Sequence, residues 1–86
     1  MHIEILAGRH TESRDCVAFE VVVDGETAWC SVSYHALVIH FDAQDCSQEE
    51  MLVAFDNGRL RIDDAVCYAL ELNGGAPVDL TATDFG

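Results

Sequence analysis

Residues 16–33, CVAFEVVVDGETAWCSVS, contain the strongest structural signal in the chain. Two segments rich in β-branched and aromatic residues, 16–23 and 26–32, flank the dipeptide Asp24-Gly25. Asp-Gly is preferred in two-residue hairpin turns, because their central residues need positive φ. The stretch therefore predicts a β-hairpin in which Val23 faces Glu26.

The register of this hairpin sorts its side chains into an apolar face and a mixed face. The apolar face pairs Val21 with Ala28, Phe19 with Cys30 and Val17 with Val32. The other face pairs Val22 with Thr27, Glu20 with Trp29 and Ala18 with Ser31. Because side chains alternate along a strand, a slip of one residue would turn the apolar set outward. We therefore expect the first face to lie in the core.

The segments next to the hairpin carry weaker signals. Residues 3–6 have the composition of a short extended segment, and residues 8–15 are predicted to form a polar loop. Ser33 has the chemistry of a helix N-cap, and a short helix over Tyr34–Phe41 is expected to follow it. Residues 42–46 then form a second loop.

Ser47 and Glu50 have the spacing of a capping box, and a long helical pattern begins after Ser47. Apolar or small residues recur in one helical phase at Met51, Phe55, Gly58, Ile62, Val66 and Ala69. A straight helix over residues 48–73 would be roughly 39 Å long at 1.5 Å per residue. A compact chain of this size has a diameter of roughly 30 Å. We therefore predict a bend or break at Asn57-Gly58, where two weak helix formers are adjacent.

Residues 78–83 alternate between apolar and polar side chains, which predicts a final strand. The order of elements is then β-β-β-α-α-α-β. This order predicts an α+β fold, in which a four-stranded, mainly antiparallel sheet has helices packed on one face. Eighty-six residues are enough for a single domain, 1–86.

Charge is the most unusual property of the composition. Sixteen carboxylates oppose four basic residues, all of them arginine, and the net charge is −12. Such a charge repels phosphates and anionic lipids, so we expect neither direct nucleic-acid binding nor membrane binding. Three interpretations remain open: solubility with a bias against lysine, a basic partner or mimicry of a polyanion, and adaptation to high salt. The N-terminal sequence lacks the pattern of a signal peptide, which predicts a cytoplasmic protein.

The residues that could carry chemistry do not form a recognisable site. The four cysteines are widely spaced, without a C-x-x-C pair, and are expected to be free thiols. His35 and His40 are five residues apart, so a helix places them on different faces, and His40 is expected to be a hydrogen-bonded core or boundary residue. Cys46 precedes a helix N-terminus, but the neighbouring carboxylates oppose thiolate formation. We predict no enzyme activity, no catalytic residue, no cofactor and no metal.

The pattern as a whole resembles the small bacterial family catalogued as domain of unknown function 1488. The resemblance covers about residues 16–85 and rests on core and turn residues, so it implies a fold and no reaction. Its short matching segments are Val17-Ala18-Phe19, Val23-Asp24-Gly25, Cys30-Ser31-Val32-Ser33, Ala36-Leu37, His40-Phe41 and Ala54-Phe55. The remaining matches are Arg59, Ile62, Val66 and the closing segment 78–85.

Two departures from that family concern the surface. Similar proteins usually have polar residues at the positions of Val38 and Ile39. They also usually have basic residues along the last helix, where this chain has Asp63, Asp64 and Glu71. A partner common to the family is therefore not implied for this chain.

Two sets of residues are candidates for contact with a partner. The first is apolar, and its members are Trp29, Tyr34, Val38 and Ile39. Because Trp29 lies opposite the core face, we predict that residues 3–6 or a second chain covers it, and a homodimer is the simplest closed assembly. The second set is charged, and its members are Glu49, Asp56, Asp63 and Arg59. Its three acids recur every seven residues. Arg59 is expected to bury its stem and bridge to a carboxylate or a helix end, and contact with an anion or a partner is the alternative.

Two classes of function follow from these candidates. The first is a non-enzymatic protein-binding or regulatory module with a protein partner, which the charge suggests is basic. The alternative is a polyanion mimic that blocks a basic nucleic-acid-binding protein. A small thiol-dependent enzyme is a distant third.

Overall fold

The hairpin forms the middle of a four-stranded sheet in the computed structural model, which describes residues 2–12 and 15–85. The strands are β1 (Ile3–Glu12), β2 (Cys16–Val23), β3 (Glu26–Ser33) and β4 (Asp79–Leu80). The helices are α1 (Tyr34–Phe41), α2 (Gln48–Asn57) and α3 (Arg59–Leu72), and a 3₁₀ turn spans Ala82–Asp84. The strands lie in the order β1-β2-β3-β4; the first three are antiparallel and β4 is parallel to β3. The predicted α+β architecture is confirmed.

The hairpin has the register that the sequence predicts. Val23 pairs with Glu26 and Phe19 pairs with Cys30, and the pairing continues to Cys16 opposite Ser33. The turn residues Asp24 and Gly25 have φ values of 51° and 89°. Aspartate and glycine are the residue types that tolerate this left-handed region best, which is why the two-residue turn can form here.

The core lies between the apolar face of the sheet and the three helices. Phe19 of β2 contacts Phe55 of α2, with their ring centroids 5.4 Å apart. The buried helical side chains are Ala36, Leu37 and Phe41 on α1, Met51, Ala54 and Phe55 on α2, and Ile62, Val66 and Leu70 on α3. Because every helix buries its apolar side against the hairpin, the opposite face of the sheet is left without a helical cover.

The first strand is longer than the sequence predicted. The predicted loop over residues 8–15 is wrong for residues 8–12, since β1 continues to Glu12; Asp15 lies in a turn, and residues 13–14 lie outside the described residues. The pairing with β2 shifts register between Ile5 and Arg9, and this irregularity absorbs the extra residues around Gly8. A bulge of this kind lets a strand resume pairing after a local bend, so a polar segment can still extend the sheet.

The last strand is shorter than predicted. Within the predicted strand 78–83, only Asp79 and Leu80 pair with β3. The main-chain amide of Thr81 donates to the Asp84 carboxylate at 2.7 Å, and a 3₁₀ turn follows. This capping interaction turns the chain away from the sheet, so the strand ends earlier than the alternation of apolar residues predicts.

The predicted interruption of the long helix is confirmed at Gly58, which separates α2 from α3. The longest dimension of the described chain is 35 Å, less than a straight helix over residues 48–73 would need. A Cβ atom on Gly58 would lie 2.1 Å from the ring of Phe41. The phenyl ring therefore occupies the space that any side chain at this position would need.

In the described residues, no helix is long and apolar enough to cross a bilayer.

Gly58→Ala is expected to lower the free energy of unfolding by about 1–3 kcal/mol, the usual cost of overpacking a filled core. The reason is that the added methyl group has to displace the ring of Phe41, which is buried. Chemical denaturation followed by circular dichroism measures the loss.

Gly8→Ala is the matched control for that variant. Its new Cβ would lie 3.6 Å from the nearest atom, the Oε1 of Glu20, which is ordinary contact. We expect this change to alter stability by less than about 0.5 kcal/mol. Equal losses in the two variants would show that the Phe41–Gly58 contact is not the cause.

Candidate binding surface

The face of the sheet that carries no helix is called the open face here. Side chains alternate between the two faces along a strand. Glu20 and Trp29 pair with each other and their sequence neighbours point into the core, so both lie on the open face. A hydrogen bond of 2.6 Å from the Ser31 hydroxyl to Asp79 shows that β4 contributes to the same face. The open face consists of Glu4, His10, Glu12, Cys16, Ala18, Glu20, Val22, Thr27, Trp29, Ser31 and Asp79.

Trp29 is the largest apolar group on the open face, and 47% of its surface is exposed. The ring of His10 meets it edge-on, with 5.2 Å between the ring centroids. The expectation that residues 3–6 cover Trp29 is wrong, because Ile3 and Ile5 pair with Val23 and Val21 and share their core-facing side. Coverage by a second chain stays a prediction.

The open face carries several carboxylates, which give it a negative potential. Burial, followed by the charges of Glu12 and Asp79, raises the pKa of the Cys16 thiol on this face. Burial is the largest cause, and the two carboxylates add to the shift because negative charges oppose the formation of another anion nearby. Glu20 adds a further carboxylate directly opposite Trp29. The open face therefore favours a cationic ligand.

Two histidines contact carboxylates at the margin of the open face. His2 lies 3.2 Å from Glu4, and His10 lies 3.0 Å from Glu12. An imidazole contributes positive charge only when it is protonated. Glu4 and Glu12 therefore each have a histidine neighbour at the margin of the open face.

The predicted acidic row on the long helix is not a continuous free surface. Asp56 receives hydrogen bonds of 2.7 and 2.6 Å from Nε and Nη2 of Arg9. Asp63 receives one of 3.0 Å from Arg59, and Glu49 is exposed in the first turn of α2. Because α2 ends before Asp63, the three acids also lie on two separate helices.

Arg59 connects three parts of the structure. It donates to Asp63 and, at 2.6 Å, to the main-chain oxygen of Leu6 in β1. Its guanidinium group lies 4.8 Å from the centre of the Phe55 ring. The expected structural bridge to a carboxylate is confirmed, and the same arginine also ties the edge strand to the helices.

The apolar candidates on α1 do not join Trp29. Val38 and Ile39 are exposed on a helix whose buried residues face the core side of the sheet. Tyr34 is half-buried and packs against the core. The structure therefore places these three residues in a different layer from the open face.

The cysteines and histidines follow the structural expectations. All four cysteines are free thiols, as predicted. Burial raises the pKa of the Cys30 thiol and, together with nearby acids, that of the Cys67 thiol. His40 lies within 2.9 Å of the main-chain oxygen of Ala82, which confirms its role as a hydrogen-bonded boundary residue. Over residues 2–12 and 15–85, no group of three potential ligands is placed to hold a metal ion.

Several residues of the open face were not singled out from the sequence. The sequence predicts a loop for His10 and Glu12, so it does not predict that they pair with β2 of the hairpin. The alternation of Arg9 and Thr11 with His10 and Glu12 was the available signal. It is weak because four polar residues in succession rarely indicate a strand.

Comparison with known proteins gives one result. A family model described as "Protein of unknown function (DUF1488)" matches residues 7–79. Searches of curated proteins and of solved structures found no significant match.

Asp56→Asn is expected to reduce the free energy of unfolding by about 0.5–1 kcal/mol at pH 7, because the carboxylate is partly exposed. The hydrogen bond from Arg9 is the main cause that sets the pKa of Asp56 below its ordinary value; the charges of Arg9 and Arg59 add to it, whereas burial acts in the opposite direction. The stabilisation is therefore complete above the ordinary aspartate pKa and is lost as pH falls through the lower folded-state value.

Denaturation curves for wild type and Asp56→Asn across this acidic range measure the effect. Asp64→Asn serves as the control, because Asp64 is exposed on α3. Its removal makes the net charge less negative by one without breaking the Arg9–Asp56 pair. A difference between wild type and Asp56→Asn that does not shrink on acidification would contradict the assignment.

Proposed function

This chain belongs to the DUF1488 family, and we propose that it is a non-enzymatic protein-binding module whose open face engages a basic protein partner. The observation that carries the proposal is the exposed Trp29, which lies opposite Glu20 on an acidic sheet face without helical cover. The four cysteines are free thiols, which is typical of a reducing compartment, and we also propose that the protein is cytoplasmic.

Trp29 and Glu20 together suit an arginine or lysine side chain. An indole face attracts a cation by about 0.5–2 kcal/mol, depending on how far water is excluded. Glu20, opposite Trp29 in the strand pairing, supplies a carboxylate for a charge-assisted hydrogen bond to the same cation. Tryptophan is also among the residues that contribute most to interfaces.

A basic partner suits the open face better than a second copy does. A symmetric dimer through this face would bring Glu12, Glu20 and Asp79 close to the same residues of the other chain. The net charge of −12 adds long-range repulsion. The homodimer is therefore treated as an alternative outcome of the test.

The other functions have less support. A polyanion mimic needs a dense row of unpaired carboxylates, whereas Asp56 and Asp63 are each bonded to an arginine. A thiol-dependent enzyme needs an accessible thiolate; burial raises the pKa of the Cys16, Cys30 and Cys67 thiols, which leaves Cys46 as the candidate for that alternative.

A peptide that alternates arginine with threonine or valine tests the proposal. Trp29 is the only tryptophan, so its fluorescence reports on the open face itself. We expect saturable binding that weakens steeply between about 50 mM and about 500 mM salt. Trp29→Ala is expected to weaken the binding of a labelled peptide about tenfold, and Glu20→Gln severalfold, because each removes one contact to the cation.

Two variants on α3 control for aromatic and acidic groups elsewhere. Tyr68→Ala removes an exposed aromatic residue, and Asp64→Asn removes an exposed acid. Both are expected to bind the peptide like wild type. Equal losses from Glu20→Gln and Asp64→Asn would mean diffuse attraction to the whole surface and would overturn the proposal. A dimer in sedimentation that Trp29→Ala dissociates would identify a second copy as the occupant instead.

A further inference from the structure

The outer edge of β3 has open backbone groups beyond the end of β4. The Ser31 amide donates outward to the main-chain oxygen of Val78 at 3.1 Å. Alternate residues of a strand direct their amide and carbonyl groups to the same edge. The amides and carbonyls of Thr27 and Trp29 therefore face this edge too, whereas β4 pairs only with Ser31 and Val32.

The chain that precedes β4 does not close this edge. The amide of Gly75 donates to the oxygen of Leu70 at 2.8 Å, and that of Ala76 donates to the oxygen of Asn73 at 3.3 Å. These bonds hold residues 74–77 against the end of α3. A depression of about 840 Å³ separates them from β3, and its walls include Thr27, Trp29, Gly74 and Pro77.

The charges around the depression are all of one sign. Asp24 and Glu26 lie in its wall at the hairpin end, and none of the described residues that line it is basic. Asp79 marks the other end, where β4 begins. An extended segment that enters this depression therefore meets carboxylates at both ends, which favours lysine or arginine at its flanks.

We propose that a segment of the basic partner binds here in extended form and adds a strand to the outer edge of β3. This inference rests on the proposed function of the open face. The added strand takes up the outward amides and carbonyls of Thr27 and Trp29, and every second side chain of it lies on the open face. That spacing brings a cationic side chain over Trp29 and beside Glu20.

The opposite edge of the sheet, formed by β1, is less suited to this role. β1 contains the register shift between Ile5 and Arg9, and irregularities of this kind disfavour pairing with another strand. The main-chain oxygen of Leu6 is already bonded to Arg59. Arg9 also places a cation near this edge.

Amide hydrogen exchange of the whole protein, with and without the arginine-alternating peptide, tests the binding mode. In the free protein, Thr27 and Trp29 are expected to exchange much faster than Ala28 and Cys30, whose amides face β2. Peptide binding is expected to slow exchange at Thr27 and Trp29 at least about tenfold, since each amide gains a partner. The β1 amides serve as the internal control and are expected not to change.

A peptide with the same sequence but N-methylated at alternate residues separates the two proposals. It keeps every charge and loses the donors that a paired strand needs. At least about tenfold weaker binding is expected for strand addition. Equal binding, without protection of Thr27 and Trp29, would overturn strand addition and leave the proposed function intact. Failure of both peptides to bind would overturn the proposed function itself.

Thr27→Pro provides the matching change in the protein. It removes an outward amide that the β2 pairing does not use, and edge positions of this kind tolerate proline. We expect near-wild-type circular dichroism and at least about tenfold weaker peptide binding. Unchanged affinity in the folded variant counts against strand addition. Protection of Thr27 that grows with protein concentration alone would identify a second copy as the added strand and overturn the heterologous partner.

Discussion

The pairing of β2 with β3 is the constraint on which the rest of the molecule depends. Asp24 and Gly25 fix a two-residue turn, and the turn fixes the register over the full length of both strands. That register sends Phe19 to the helices and Trp29 to the opposite side. Because the side-chain period is two, core and exposed surface are specified together, and neither can change without the other.

Two kinds of contact then hold the remaining elements to the hairpin. One is apolar: the ring of Phe41 occupies the space beside Gly58, so α1 packs against the junction between α2 and α3. The other is ionic: Arg9 binds Asp56, and Arg59 reaches β1 from α3. These two arginines are engaged in bonds within the fold and are not available to the carboxylates of the open face.

The elements with strong local signals could be predicted, and those that depend on tertiary contacts could not. Asp24-Gly25 and the Gly58 break were visible because turn and helix propensities act within a few residues. The extension of β1 to Glu12 depends on pairing with β2, and the early end of β4 depends on the cap at Thr81. The sequence predicts only part of the candidate site. Strand alternation places Trp29 on the face opposite the core, whereas its neighbour His10 falls in a predicted loop.

The single parallel strand also determines when the sheet can be completed. β4 follows β3 only after three helices, so the whole outer edge of β3 leaves the ribosome well before Leu80 does. An open edge on a nascent chain is a site where identical chains can pair and aggregate. We expect Asp24 and Glu26 to repel a like-charged neighbour during that interval. The acidity that suits the mature surface to a cationic partner would then also protect each chain from its own copies on a polysome.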